Sequence, residues 1–274
     1  MANDRPIGIF DSGLGGLTIT AAVRQALPHE RLFYFGDTAH IPYGQRSLDE
    51  VRAFSVAITD ALLAKGCKLI VVACNTASAA ALSTLRERFP NVPFVGMEPA
   101  VKPAVEQTRT GVVGVLATSA TFQSELYASV VVRFAHDVEV LREPCPGLVP
   151  AIERGEFDTP GTEALLRGWL EPMLQRNIDA LVLGCTHYPI VRPVIEHIVG
   201  PNVRVIDPAP AVARQVQRML DQNDRLAGSE GDGGVNCWTS GDPTTFVTML
   251  ERLGMGTCEV ARGVWGQNGR LSLP

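Results

Sequence analysis

Two segments of this chain, Lys68-Leu69-Ile70-Val71-Val72-Ala73-Cys74-Asn75-Thr76 and Asp179-Ala180-Leu181-Val182-Leu183-Gly184-Cys185-Thr186-His187, read almost alike. Each is a short aliphatic run that ends in a small residue, a cysteine and then hydroxyl, amide or imidazole groups. Such a run fits a strand buried on both faces of a parallel sheet, with the thiol at its carboxyl end. Open α/β sheets place their ligand crevices outside the carboxyl ends of strands. Two such strands in one chain point to a site with a thiol on either side, and two facing thiols are a pair of proton-transfer groups.

The surrounding pattern agrees with parallel sheets. Strand-like runs recur at residues 7–10, 32–35, 69–73, 94–96, 112–116, 138–141, 180–183 and 203–206, and helical periodicity covers 48–64, 78–89, 162–176 and 191–198. Strand alternating with helix predicts an α/β fold whose parallel sheets are covered on both faces. Pro99 and Pro103 disfavour a continuous helix where a first domain would be complete, and Asp207-Pro208-Ala209-Pro210 marks a second boundary. The expected organisation is two similar doubly wound domains, residues 1–97 plus 208–274 and residues 98–207. A strand over 235–238 and a helix over 244–253 return to the first domain, and 228–234 reads as a surface loop. The first strands of the two halves, ending at Asp11-Ser12 and Thr118-Ser119, both close in small or hydroxylic residues. Two related halves packed face to face would share a pseudo-twofold axis, with the pocket at their junction.

Composition narrows the function. The chain has 274 residues, 46% hydrophobic and 19% charged, and no segment approaches the apolar length of a membrane span. Its amino terminus lacks the basic region and apolar stretch of a secretory signal, so a cytoplasmic location is expected. A net charge of −5 with scattered arginines argues against nucleic acid or an anionic membrane as partner. The six cysteines read as reduced thiols, and the absence of Cys-x-x-Cys and of zinc-ligand spacing predicts no metal. Lys65, Lys68 and Lys102 are the only lysines. The first two precede a strand and the third is flanked by prolines, so none is placed for the Schiff base of pyridoxal phosphate. Amino-acid chemistry here would run without that cofactor.

The loop Asp11-Ser12-Gly13-Leu14-Gly15-Gly16 stands between a strand and a helix. The residues alone leave two readings open: an anion cradle of backbone amides, or a glycine turn in which Asp11 or Ser12 caps the helix. Cys74 closes a strand and opens a helix, where the dipole and free amides favour thiolate. Cys185 repeats that arrangement, with His187 two residues on. A carboxylate, Asp11, beside one thiol and an imidazole beside the other would be asymmetric helpers in a coupled titration. Residues 37–44 read as a loop over the same sheet edge, either a pocket wall carrying Tyr43 and Gly44 or an ordinary surface turn. Cys67, Cys145, Cys237 and Cys258 read as inert buried residues.

The combination of Asp11-Ser12-Gly13-Leu14-Gly15-Gly16-Leu17, Gly36-Asp37-Thr38 with Pro42-Tyr43-Gly44, Ala73-Cys74-Asn75-Thr76-Ala77, Glu98-Pro99-Ala100 and Gly184-Cys185-Thr186-His187-Tyr188-Pro189 resembles the cofactor-independent aspartate/glutamate racemase superfamily, in its glutamate racemase branch. The resemblance implies that Cys74 and Cys185 are acid/base residues on opposite faces of a glutamate α-carbon, interconverting L- and D-glutamate without cofactor. It implies that Asp11 and His187 assist them. It assigns Ser12, Tyr43, Gly44, Asn75, Thr76, Thr118 and Thr186, with Asp11 and His187, to substrate binding. It further implies supply of D-glutamate for peptidoglycan, and it allows a homodimer. Aspartate racemase on the same fold and a regulatory binding protein that keeps the site are the rival readings. A one-cysteine hydrolase or redox enzyme leaves the second strand-end thiol unexplained.

Overall fold

A computed structural model of the chain describes residues 3–229, 233–255 and 258–274. Part of the loop expected over 228–234, residues 230–232, lies outside them. The chain divides into two compact units: one runs to Met97 and resumes at Ala209, the other is Glu98–Pro208.

The first unit begins with β1 (Ile7–Asp11), α1 (Gly16–Ala26), β2 (Leu32–Gly36), α2 (Leu48–Ala64), β3 (Leu69–Val72), α3 (Asn75–Arg88) and β4 (Phe94–Val95). Every residue of β1 and β3 is buried, as expected of strands covered on both faces. A reciprocal capping box starts α2: the Ser47 hydroxyl accepts the Glu50 amide, and the Glu50 carboxylate accepts the Ser47 amide.

The second unit holds α4 (Val101–Gln107), β5 (Val112–Ala117), α5 (Ser119–Phe122), α6 (Glu125–Phe134), β6 (Glu139–Glu143), α7 (Leu148–Glu153), α8 (Pro160–Gln175), β7 (Ala180–Gly184), α9 (Arg192–Val199) and β8 (Arg204–Ile206). Pro103, read in the sequence as a helix breaker, lies inside α4. It occupies the first turn, where the missing N–H would have had no helical partner. The chain then returns to the first unit through α10 (Ala209–Gln222), β9 (Val235–Thr239), α11 (Pro243–Arg252), β10 (Val260–Arg262) and the small antiparallel pair β11 (Val264–Trp265) and β12 (Leu271–Ser272).

The first sheet has the order β10-β9-β2-β1-β3-β4 and the second β6-β5-β7-β8, with every pairing within them parallel. The runs β2-β1-β3-β4 and β6-β5-β7-β8 are the same arrangement met twice. In each, the chain winds one way from first strand to second and the other way to the third. The point where winding reverses lies between β1 and β3, and again between β5 and β7, and that is where a doubly wound sheet opens a crevice. No helix among the described residues is long and apolar enough to cross a membrane.

Candidate active site

In the first unit the carboxyl ends of β1 and β3 stand side by side. Phe10 pairs with Val72, and the Ala73 amide donates to the Phe10 carbonyl at 2.8 Å. That register sets Asp11 and Ser12 beside Cys74. Asp11 is fully buried and its Oδ2 accepts the Gly16 amide at 2.8 Å. A side chain at Gly16 would come within 2.6 Å of the Asp11 Cβ, so only glycine lets the carboxylate lie against the start of α1. The glycine turn and the carboxylate cap thus coexist. Tyr34 fixes the same loop, its hydroxyl donating to the Gly13 carbonyl at 2.6 Å.

Cys74 is the N-cap of α3. Its Sγ accepts the Ala77 amide at 3.4 Å and lies 4.0 Å from the Ser12 Oγ. Sulfur here takes the place usually held by a hydroxyl or carboxylate oxygen, at a helix end whose partial positive charge favours an anion. Asn75 and Thr76 follow in the first turn, both buried. Among the described residues neither the Asn75 amide nitrogen nor its oxygen finds a partner. A buried polar group left so costs about 1–3 kcal/mol, a cost that a ligand carrying both donors and acceptors would remove.

Residues 37–44 form two short 3-10 turns, Thr38–His40 and Tyr43–Gln45, the second packed against α3. The organiser is Asp37, fully buried. Its carboxylate accepts the Tyr43 hydroxyl at 2.7 Å, the Ser240 hydroxyl at 2.8 Å and the Trp265 indole N–H at 2.8 Å, and it pairs with His40 Nδ1 at 2.9 Å. Burial, then the Asp37 charge and hydrogen bond, then the nearness of Cys74 and Asp11, hold the Tyr43 hydroxyl well above its usual value. It stays protonated and donating. Gly44 is half-buried beside it.

In the second unit β5 and β7 repeat the arrangement, with Ala117 opposite Gly184. A Cβ on Gly184 would meet the Leu116 carbonyl oxygen at 2.8 Å, so the residue before the thiol must be glycine for the strands to close. Thr118 caps α5, its Oγ1 accepting the Thr121 amide at 3.2 Å. Cys185 and Thr186 are buried at the end of β7. The expected helix does not open at Cys185: Pro189 shapes a 3-10 turn over Tyr188–Val191, and α9 begins only at Arg192. The polar neighbour of this thiol is instead an imidazole. Cys185 Sγ lies 3.8 Å from His187 Nδ1, and His187 Nε2 lies 2.6 Å from Glu153 Oε1 on α7. Burial alone would pull the His187 pKa down, but the hydrogen bonds to Cys185 and Glu153 and their negative charge prevail and raise it well above the usual 6.5.

The residues singled out in the sequence therefore gather in two groups. Asp11, Ser12, Tyr43, Gly44, Cys74, Asn75 and Thr76 lie in the first unit, and Thr118, Cys185, Thr186 and His187 in the second. Glu153 and the organising role of Asp37 were not anticipated. Glu153 precedes His187 by 34 residues, and its sequence neighbourhood carries no motif. The only available signal was chemical: a catalytic imidazole needs an orienting partner.

With this geometry in view, comparison with known proteins is decisive. The family model for Asp/Glu/hydantoin racemases matches residues 16–216. The chain belongs to that family. A glutamate racemase of Roseiflexus sp. is 49% identical over 95% of this chain and 96% of its own length. Among solved structures, glutamate racemase from Francisella tularensis in complex with D-glutamate aligns with a TM-score of 0.81 at 32% identity, covering 94% of this chain and 96% of that one. Glutamate racemase from Escherichia coli in complex with L-glutamate and the activator UDP-MurNAc-Ala aligns with a TM-score of 0.81 at 30% identity, covering 94% and 97%. A racemase of this family needs acid/base groups at its reacting carbon, and the two strand-end thiols are the candidates within it.

Proposed function

We propose that the chain is a glutamate racemase that works without cofactor, using Cys74 and Cys185 as the two bases. One observation carries this reading. A buried thiol follows the third strand of the same strand order in both sheets, at the point where winding reverses. Two glutamate racemases of similar structure, solved with opposite enantiomers of glutamate, support the choice of substrate.

In the reaction, one cysteine as thiolate takes the α-proton while the other, as thiol, returns a proton to the opposite face, and the roles exchange in the reverse direction. An α-proton is far less acidic than a thiol, so the developing negative charge at the α-carbon and carboxylate must be met by preorganised donors in a water-excluded site. The start of α3, the Asn75 amide and the hydroxyls of Ser12, Thr76, Thr118 and Thr186 are groups of the right type. The imidazolium of His187, held by Glu153, lies beside Cys185, which we assign as the base toward L-glutamate. Cys74, beside the Ser12 hydroxyl, then serves as the acid. The product fits a supply of D-glutamate for peptidoglycan.

The test is circular dichroism of L-glutamate with purified protein in D₂O, with proton NMR of the α-position alongside. Decay of the optical signal to zero together with deuterium entry at the α-carbon is the expected result. A flat signal with L-glutamate and decay with L-aspartate would transfer the assignment to the sibling activity.

A further inference from the structure

Trp265 stands 228 residues beyond Asp37 in the sequence, yet its indole N–H donates to the Asp37 Oδ1 at 2.8 Å. The residue lies on β11, directly opposite Leu271 of β12, and the Gly266 amide closes the hairpin on the Arg270 carbonyl at 2.8 Å. Leu271 is buried in the core cluster that includes the inner face of α2. One strand of the hairpin is thus anchored on α2, while the other reaches the 37–44 loop.

The indole has a seat as well as a hydrogen bond. It meets His40 edge-on at a centroid distance of 5.0 Å and Phe54 of α2 at 5.7 Å, and His40 in turn stacks on Phe54 at 4.0 Å. These contacts fix the plane of the ring and therefore the direction of its N–H.

The buried Asp37 carboxylate passes that direction on to Tyr43. Two carboxylate oxygens offer about four acceptor positions between them. Oδ1 accepts the Trp265 N–H and the Ser240 hydroxyl, Oδ2 accepts the Tyr43 hydroxyl at 2.7 Å, and His40 Nδ1 lies 3.0 Å from the first oxygen and 2.9 Å from the second. Rotating the carboxylate away from Tyr43 would break both bonds at Oδ1. Without the indole N–H, one acceptor position of a fully buried charge is left empty, and the carboxylate can turn to share the remaining donors.

The geometry points to Trp265 as a positioning residue for the wall that carries Tyr43, acting through Asp37. The part played by Tyr43 in binding glutamate rests on the racemase reading, whereas the chain of contacts from Trp265 through Asp37 to Tyr43 does not.

The experiment is a double-mutant cycle of Trp265→Phe and Tyr43→Phe in the full chain, read by initial rates on L-glutamate. Phenylalanine keeps an aromatic ring beside His40 and Phe54 and removes the N–H. KM should rise about fivefold in Trp265→Phe with kcat held within about twofold, and the same substitution should change KM less than about twofold once Tyr43→Phe is present, because no hydroxyl remains to be aimed. An unchanged KM, a loss shared equally between kcat and KM, or a KM effect undiminished in the Tyr43→Phe background would make Trp265 a merely structural residue and overturn the proposal. The same four proteins are also unfolded in denaturant, where the midpoint shift caused by Trp265→Phe should shrink by about half or more in the Tyr43→Phe background. Wild-type protein inert toward both enantiomers of glutamate would refute the racemase reading instead, and the unfolding cycle would then decide the coupling by itself: equal shifts in the two backgrounds overturn it.

Discussion

His187 Nε2 and Glu153 Oε1 are 2.6 Å apart, with the imidazole buried and the carboxylate nearly so. This contact holds the ring charged and turns its Nδ1 toward Cys185. Glu153→Gln removes the charge but keeps the shape. We expect racemisation to fall about 100-fold, by the same factor in kcat/KM for either enantiomer because the two are equal in free energy, measured by initial rates on each. A rate within a few-fold of wild type would mean that His187 does not act through Cys185.

The same pair sets a pH dependence of stability. The folded His187 value lies above 6.5, so its contribution is complete below that pH and is lost as pH rises through the raised value. Thermal melts across neutral and alkaline pH should show the wild-type Tm declining through that window. Glu153→Gln should melt lower at neutral pH and show a shallower alkaline decline.

Either thiol of the proposed pair should be indispensable. Cys74→Ser and Cys185→Ser are each expected to lower racemisation by at least about 100-fold while leaving the far-ultraviolet circular dichroism unchanged. Cys145→Ser, off the proton path, should stay within a few-fold of wild type. Near-normal turnover in either of the first two would end the two-thiol mechanism.

Asp37 accepts hydrogen bonds from three residues and pairs with a fourth. In Asp37→Asn one acceptor oxygen becomes a donor facing other donors, a loss of about 1.5–3 kcal/mol for each charged hydrogen bond broken. The expected outcome is a loosened 37–44 wall. KM for glutamate should rise more than kcat falls, and the fluorescence of Trp265 should shift. An unchanged KM would show that Tyr43 and Gly44 are not part of the substrate wall.

Lys68 Nζ and Glu30 Oε2 form a buried ion pair at 2.7 Å. Removing one partner strands the other charge, so Lys68→Met should cost about 3–5 kcal/mol in denaturant unfolding, and Lys68→Met with Glu30→Leu should recover much of it. No recovery would show that the pair is held by other contacts.

Strand existence was legible in the sequence wherever burial on both faces leaves an aliphatic run, as at 69–73 and 180–183. The thiols at their ends were legible for the same reason. What the one-dimensional pattern could not carry is contact between segments far apart in the chain. The Glu153–His187 pair, the four-fold tie at Asp37 and the strand order all belong to that class. Short edge elements such as β10, β11 and β12 have too few residues to show a period.

The insertion of β9 between β2 and β10 has a consequence for the order in which the molecule can be made. Residues 98–208 form one uninterrupted stretch and can complete their sheet as soon as they leave the ribosome. β2, translated long before, keeps an open edge until residues 235–239 arrive to pair with it. The tethers of the 37–44 loop to Thr239 and Ser240 arrive with that strand, and the tether to Trp265 comes later still. The segment synthesised first is therefore finished last. A nascent chain halted before Trp265 would carry Cys74 and Cys185 on formed strands while lacking a tether of the wall that bears Tyr43.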